Sequence, residues 1–229
     1  MRFKRDPIDL RPNVRWLDRI QVIRLLQEPM TPREEIIIHL SLGMSLRRSD
    51  IMRVHIDNID HRNEWIHFES KPNVIRSVPF RPDTPRVIDM WMNERDNILE
   101  KGRGKEPKEL VIGIKRQGMK LTGLKESALD NTILNIRNRL PFHFSFHDLR
   151  RTWARQAYEW GVEILAISMI LGHRDTKTTL RYIGAPVDEM REAMNIVYQR
   201  RLSDLEAVEM IRPFQSDSLQ SYRKIEEEV

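Results

Sequence analysis

The sequence predicts a mainly α-helical domain with one small antiparallel β-hairpin, an α+β fold. Three observations predict it. Apolar residues recur at helical spacing through most of the 229-residue chain. Only 64–80 switches to short aromatic and β-branched runs on either side of a turn. With 40% apolar residues and no cysteine, the chain can build a sizeable core and needs it, because disulfides and thiolate metal sites are excluded.

The elements follow in order. Residues 1–14 are polar, hold Pro7 and Pro12, and read as a tail or linker end. "LDRIQVIRLLQ" (17–27) is a helix whose apolar stripe is read as Leu17, Ile20, Ile23 and Leu26 or Leu25. After "EPMTPREE", in which Thr31 can cap and Pro32 can take the first helical position, "IIIHLSLGM" forms a nearly all-apolar helix central to the core. "LRRSDIMRV" starts a new helix close to Ser49 or Asp50. "EWIHFES" and "IRSVPF", joined by "KPN", make the hairpin, and "RVIDMWMNERDNIL" returns to a helix. The polar stretch 100–125 is read as a surface loop around a short "LVIG" strand. Further helices are expected at about 126–139, 147–160, 163–171, 176–183 and 187–211, before a polar tail. The resulting division is 1–14, a main domain over 15–186, and a C-terminal helix with tail over 187–229.

Lys plus Arg number 39 against 34 acids, a net charge of +5 with pI near 9.6. That excess favours an anionic partner only where the charges cluster on one face. The N-terminus has no apolar run of signal-peptide length and no run in the chain reaches membrane-span length, so a cytoplasmic protein without a membrane partner is expected.

One constellation has no explanation in packing alone. "HDLR" places His147 and Arg150 three apart, on one helix face. In "ILGH" an apolar helix stops at Gly172 with His173 just beyond, and Tyr182 closes "TTLRY". Arg47 follows the apolar helix, and Lys71 stands at the hairpin turn. These are the residue types of metal-free phosphoryl transfer. Guanidinium forks match the non-bridging oxygens of a phosphodiester bidentately and stay charged. A tyrosine hydroxyl becomes nucleophilic when cations and a base assist it, and histidine suits the base. A hairpin-tip lysine can protonate a leaving oxygen. Arg48 and Arg151, the other halves of two doublets, are read as a solvated face. His61, His67 and His143 are given no role, Tyr158 is read as packing, and Tyr198 and Tyr222 are the less favoured nucleophiles. Trp16, Trp65, Trp91, Trp153 and Trp160 are core or rim residues.

"LRRSDI", "SKPNVIRSVPF", "FHDLRRTWA" and "ILGHRDTKTTLRY" resemble, in order, the signature boxes of the tyrosine recombinase (phage integrase) catalytic domain, from about Trp16 to Tyr182. The resemblance implies Arg47, Lys71, His147, Arg150, His173 and Tyr182 as catalytic residues, with Asp50 at the acidic position after the first arginine. It implies site-specific cleavage and rejoining of double-stranded DNA through a 3′-phosphotyrosine, with neither ATP nor metal as cofactor. A type IB topoisomerase-like strand transferase and a catalytically silent DNA-binding regulator are the alternatives. The family assembly implied is a homotetramer on two duplexes, linked by the C-terminal helix with its stripe of Met190, Met194 and Val197 or Tyr198, and a monomer or weak dimer without DNA. Nucleoid association is implied if the source is prokaryotic. Two departures stand out. Met44, Ser45 and Leu46 occur where the family often has Thr-Gly-Leu, which points to different local helix packing. About fourteen residues precede the matched region where a separate core-binding domain is usual, so an excised catalytic domain or a short member is expected, making one-sided contact with DNA.

Overall fold

A computed structural model describes residues 15–115, 117–173, 175–183 and 199. The chain divides into two units, Met1–Gly184 and Ala185–Val229. The expected tail over 1–14, the helix over 187–211 and the alternative tyrosines Tyr198 and Tyr222 lie outside the described residues.

Eight helices and five strands are described: α1 (Arg19–Gln27), α2 (Pro32–Ile38), α3 (Arg48–Ile51), β1 (Ile59–Asp60), β2 (Trp65–Lys71), β3 (Val74–Pro79), α4 (Thr84–Lys101), β4 (Ile112–Lys115), β5 (Lys120–Gly123), α5 (Glu126–Arg137), α6 (Phe146–Glu159), α7 (Ile164–Leu171) and α8 (Thr176–Ile183). The α+β prediction holds, with the helices surrounding a core that includes Ile36, Leu40, Leu46, Phe68, Trp91 and Leu149. The Trp91 indole donates to Leu110 O at 2.8 Å, so its one polar atom is satisfied within that core. No described helix is long and apolar enough to cross a membrane.

Local chemistry sets the boundaries. Thr31 and Glu34 form a capping box with Pro32 at the start of α2. Ser145 and Asp148 do the same for α6, one residue earlier than the sequence suggested. In the hairpin, Pro72 and Asn73 make a two-residue turn, with Asn73 at φ 61 in the left-handed region that asparagine tolerates.

Several expectations are corrected. In α1 the buried residues are Val22 and Leu25, with Leu17 just ahead, while Ile20, Ile23 and Leu26 are 64%, 44% and 61% exposed. Steps of three fall about 60° short of a full turn, so a strict i,i+3 series crosses to the far side of the helix by its fourth member. The "IIIHLSLGM" segment is not one α-helix. It runs as α2 and then as a π-helical turn over His39–Gly43. The 100–125 stretch holds a second antiparallel hairpin, with β4 paired to β5 from Ile112↔Gly123 to Lys115↔Lys120. Its outer strand, "KLTG", is too short and polar to signal itself. Strand β1 pairs with β2 through Ile59↔Ile66 and Asp60↔Trp65, completing a three-stranded sheet.

Candidate active site

The site forms where the turn before α3, the start of α6 and the end of α7 converge. Ser45 adopts φ 60, a left-handed conformation that costs a non-glycine residue about 1 kcal/mol. This is the position at which Ser45 replaces the glycine of the resembled pattern. The turn aims the Ser45 carbonyl inward, where it accepts from Nη1 of Arg150. Helix α7 ends in a Schellman closure: Gly172 stands at φ 59, and His173 N donates to Ser168 O at 3.0 Å. The next carbonyls of α7, beyond that closure, are free to accept from side chains.

Arginines take them. Leu171 O accepts from Nη2 of Arg47 at 3.1 Å and also from Nη2 of Arg150. Arg150 is 2% exposed and is held by these carbonyls without a carboxylate ion pair among the described residues. Burial, reinforced by Arg47, lowers its pKa to about 10, leaving it a cation near neutrality. Asp50, fully buried, accepts from the Arg47 backbone N–H at 3.2 Å, and its Oδ2 lies 3.7 Å from the Arg47 guanidinium. A cleft of about 380 Å³ opens on this corner, lined among others by Arg47, Arg48, His147 and Arg150.

Tyr182 lies between two imidazoles. Its ring meets His147 edge-on at 5.2 Å and His173 at 5.3 Å, and the Arg151 guanidinium lies 5.2 Å over it. His173 is oriented by a 2.9 Å hydrogen bond between Nδ1 and the Thr179 hydroxyl. The Tyr182 hydroxyl is buried and has no hydrogen-bond partner of good geometry among the described residues, although the nearby Arg150 guanidinium favours its ionised form. Burial dominates and raises the Tyr182 pKa against Arg150, Arg151 and Arg47. Burial likewise lowers His147, helped by Arg151, and lowers His173 to about 4, helped by Arg150, Arg47 and Arg76. Both imidazoles are therefore neutral at physiological pH, the form in which a histidine can accept a proton.

The structure thus brings together Arg47, His147, Arg150, His173 and Tyr182. Lys71 stands apart: it ends β2 on the exposed hairpin tip, beside an irregularity of register, and no hydrogen bond or ion pair ties it to the cluster among the described residues. Two further residues belong to this corner. Arg151 was read as solvated, yet it lies over the Tyr182 ring and its Nε is buried. Arg76, in β3, donates to Asp50 Oδ2 at 3.1 Å and to Ile170 O at 2.5 Å. Its only sequence signal was its place in the "SKPNVIRSVPF" box. Arg48 does behave as the exposed half of its doublet, pairing with Asp130 at 2.7 Å and Glu126 at 3.2 Å.

Comparison with known proteins fits this geometry. Residues 15–187 match the profile of the phage integrase family. Tyrosine recombinase XerA of Saccharolobus solfataricus is 24% identical over 181 residues, 79% of this chain and 56% of that protein. Tyrosine recombinase XerC of Corynebacterium glutamicum is 23% identical over 168 residues, 73% of this chain and 52% of that protein. The chain therefore spans about half the length of these relatives. Among solved structures, XerH site-specific recombinase bound to its difH substrate in a pre-cleavage complex superposes with a TM-score of 0.61 at 18% identity, covering 79% of this chain and 53% of that one.

Proposed function

The chain belongs to the phage integrase family, and on that premise we propose that it is a site-specific tyrosine recombinase, cleaving and rejoining DNA strands through a 3′-phosphotyrosine. One observation carries the reading. The Tyr182 ring is flanked by two neutral imidazoles, next to a buried arginine that is held by two carbonyls and forms no carboxylate ion pair among the described residues.

The chemistry follows from those positions. Arg47 and Arg150 hold the non-bridging oxygens of the scissile phosphate and answer the charge that spreads over them in the transition state. The Tyr182 hydroxyl, once brought to the cleft, attacks phosphorus while His147 takes its proton. His173 donates to the same phosphate from the opposite side of the tyrosine. The phosphorus–O5′ bond breaks, and Lys71, moving in on its hairpin, supplies the proton that the leaving 5′-oxygen needs. The phosphotyrosyl bond conserves the energy of the phosphodiester, so attack by a 5′-hydroxyl rejoins a strand with no ATP or metal ion in the balance. Assembly as four protomers on two duplexes, in the cytoplasm and on nucleoid DNA in a prokaryotic source, belongs to the same proposal and is supported by family membership.

A duplex nicked close to the cleavage site, so that the 5′-hydroxyl strand diffuses away, traps the covalent adduct. The wild-type chain accumulates a protein–DNA species resistant to denaturant, and Tyr182→Phe binds the duplex without forming it. Adduct persisting in Tyr182→Phe moves the nucleophile elsewhere, with Tyr198 and Tyr222 the next to test. A reaction abolished by chelator and restored by magnesium points to a metal-dependent nuclease instead.

A further inference from the structure

We infer that Arg76 is a positioning residue for the phosphate clamp, its guanidinium fork tying Asp50 in α3 to the end of α7 and so fixing the carbonyl that aims Arg47 and Arg150. The inference rests on the recombinase reading of the site and adds a residue that does not touch DNA.

The geometry is a three-way junction. One arm of the fork donates to Asp50 Oδ2 at 3.1 Å; the other donates to Ile170 O at 2.5 Å. The next carbonyl in the chain, Leu171 O, is the shared acceptor of Arg47 and Arg150. A shift at Ile170 is therefore a shift of the clamp. The side chain is 11% exposed and lies 5.2 Å over the Phe68 ring. Gly172 makes the approach possible, because a Cβ there would collide with the Arg76 guanidinium. Its left-handed φ and its missing side chain are thus both required, one to close α7 and the other to admit Arg76.

Charge decides the division of labour. Asp50 offers the one carboxylate in the junction among the described residues, and it lies nearer to Arg76, at 3.1 Å, than to the Arg47 guanidinium, at 3.7 Å. Arg76 thereby takes up the fixed negative charge, which leaves Arg47 and Arg150 to an incoming phosphate. Lysine can supply the charge but cannot span both acceptors with a planar fork.

The full chain carrying Arg76→Lys or Arg76→Met is tested by single-turnover adduct formation on the nicked duplex, duplex binding, and ¹⁵N spectra of the Arg47 and Arg150 Nε–H groups. Adduct formation is expected to slow by about a hundredfold in both variants, the scale of a displaced catalytic group. Duplex affinity should stay within about threefold, since no phosphate contact is removed. The Arg47 and Arg150 signals should shift or broaden. Wild-type rate in Arg76→Lys reduces the role to charge and overturns the inference, as does wild-type rate in Arg76→Met. Should Arg76→Met fail to fold, the lysine variant decides alone. If the wild-type chain cleaves no DNA, the recombinase reading fails separately, and guanidinium signals unmoved in Arg76→Lys would still refute the junction.

Discussion

Arg95 and Arg150 are buried alike, 1% and 2% exposed, yet the fold treats their charges in opposite ways. Arg95, on α4, reaches Glu106 at 2.6 Å and Pro107 O at 2.6 Å, so a carboxylate meets its charge within the chain. Arg150, on α6, meets the Ser45 and Leu171 carbonyls, with Arg47 close by as a second cation and Asp50 near enough to act on its charge without a direct ion pair. Carbonyl dipoles orient a guanidinium but do not neutralise it. The Arg95 corner closes on its own ion pair, whereas in the Arg150 corner the Asp50 carboxylate is engaged by Arg76 and Arg47, and in the proposed function a phosphate from outside completes it. Burial of an arginine alone therefore says little about function; what separates the two is whether a carboxylate pairs directly with the guanidinium.

The largest expected effect falls on Arg150. Arg150→Lys should slow adduct formation by about a hundredfold or more, because an ammonium cannot replace a bidentate fork at a phosphate. Arg95→Lys should leave the rate of the folded protein within about threefold. Stability should rank them the other way. Arg95→Met should lower the unfolding free energy by about 2–4 kcal/mol, stranding carbonyls and Glu106, while Arg150→Met should stay within about 1 kcal/mol of wild type. Denaturant unfolding read beside single-turnover kinetics checks both, and equal losses of stability would erase the distinction.

A smaller effect sharpens the same contrast among histidines. Burial lowers His39, which bonds the Thr84 hydroxyl at 2.8 Å, to about 4, and lowers His173 similarly. Both unfold to a value near 6.5, so between about 6.5 and 4 the unfolded chain binds more protons than the folded one. Stability is therefore full above about pH 6.5 and falls as pH drops through that window. His39, being 6% exposed, should account for a loss on the order of 3 kcal/mol. His39→Gln should flatten that slope without changing the cleavage rate at neutral pH. A slope as steep as wild type would mean that other groups carry the acid sensitivity.

Sequence reasoning reached different depths in different parts of this corner. Residue type and spacing, together with the resemblance of the ordered boxes, picked out Arg47, the His147–Arg150 pair, Gly172 with His173, and Tyr182, because each sits at a helix boundary or on one helix face where local chemistry leaves a mark. Arg76 was out of reach. Its partners are Asp50 and the Ile170 carbonyl, both reached from β3 only once the chain has folded, and no periodicity encodes such a meeting. Arg151 was misread for a related reason, since a doublet on a helix exposes one member only if nothing covers it, and α8 lays Tyr182 against it. In the fold, capping boxes and turn residues located most elements. The direction of the α1 face and the β5 partner depended on tertiary packing.

The claim that Arg150 waits for an external negative charge is tested most directly by taking that charge away. A nicked duplex bearing a neutral methylphosphonate at the scissile position is cleaved by the wild-type chain and by Arg150→Met side by side. The account predicts that Arg150→Met, severely impaired on the natural phosphate, recovers most of its deficit on the neutral one, because no anionic charge is left to answer. An Arg150→Met deficit equally deep on both substrates would contradict it, and would reduce Arg150 to a structural residue of the same kind as Arg95.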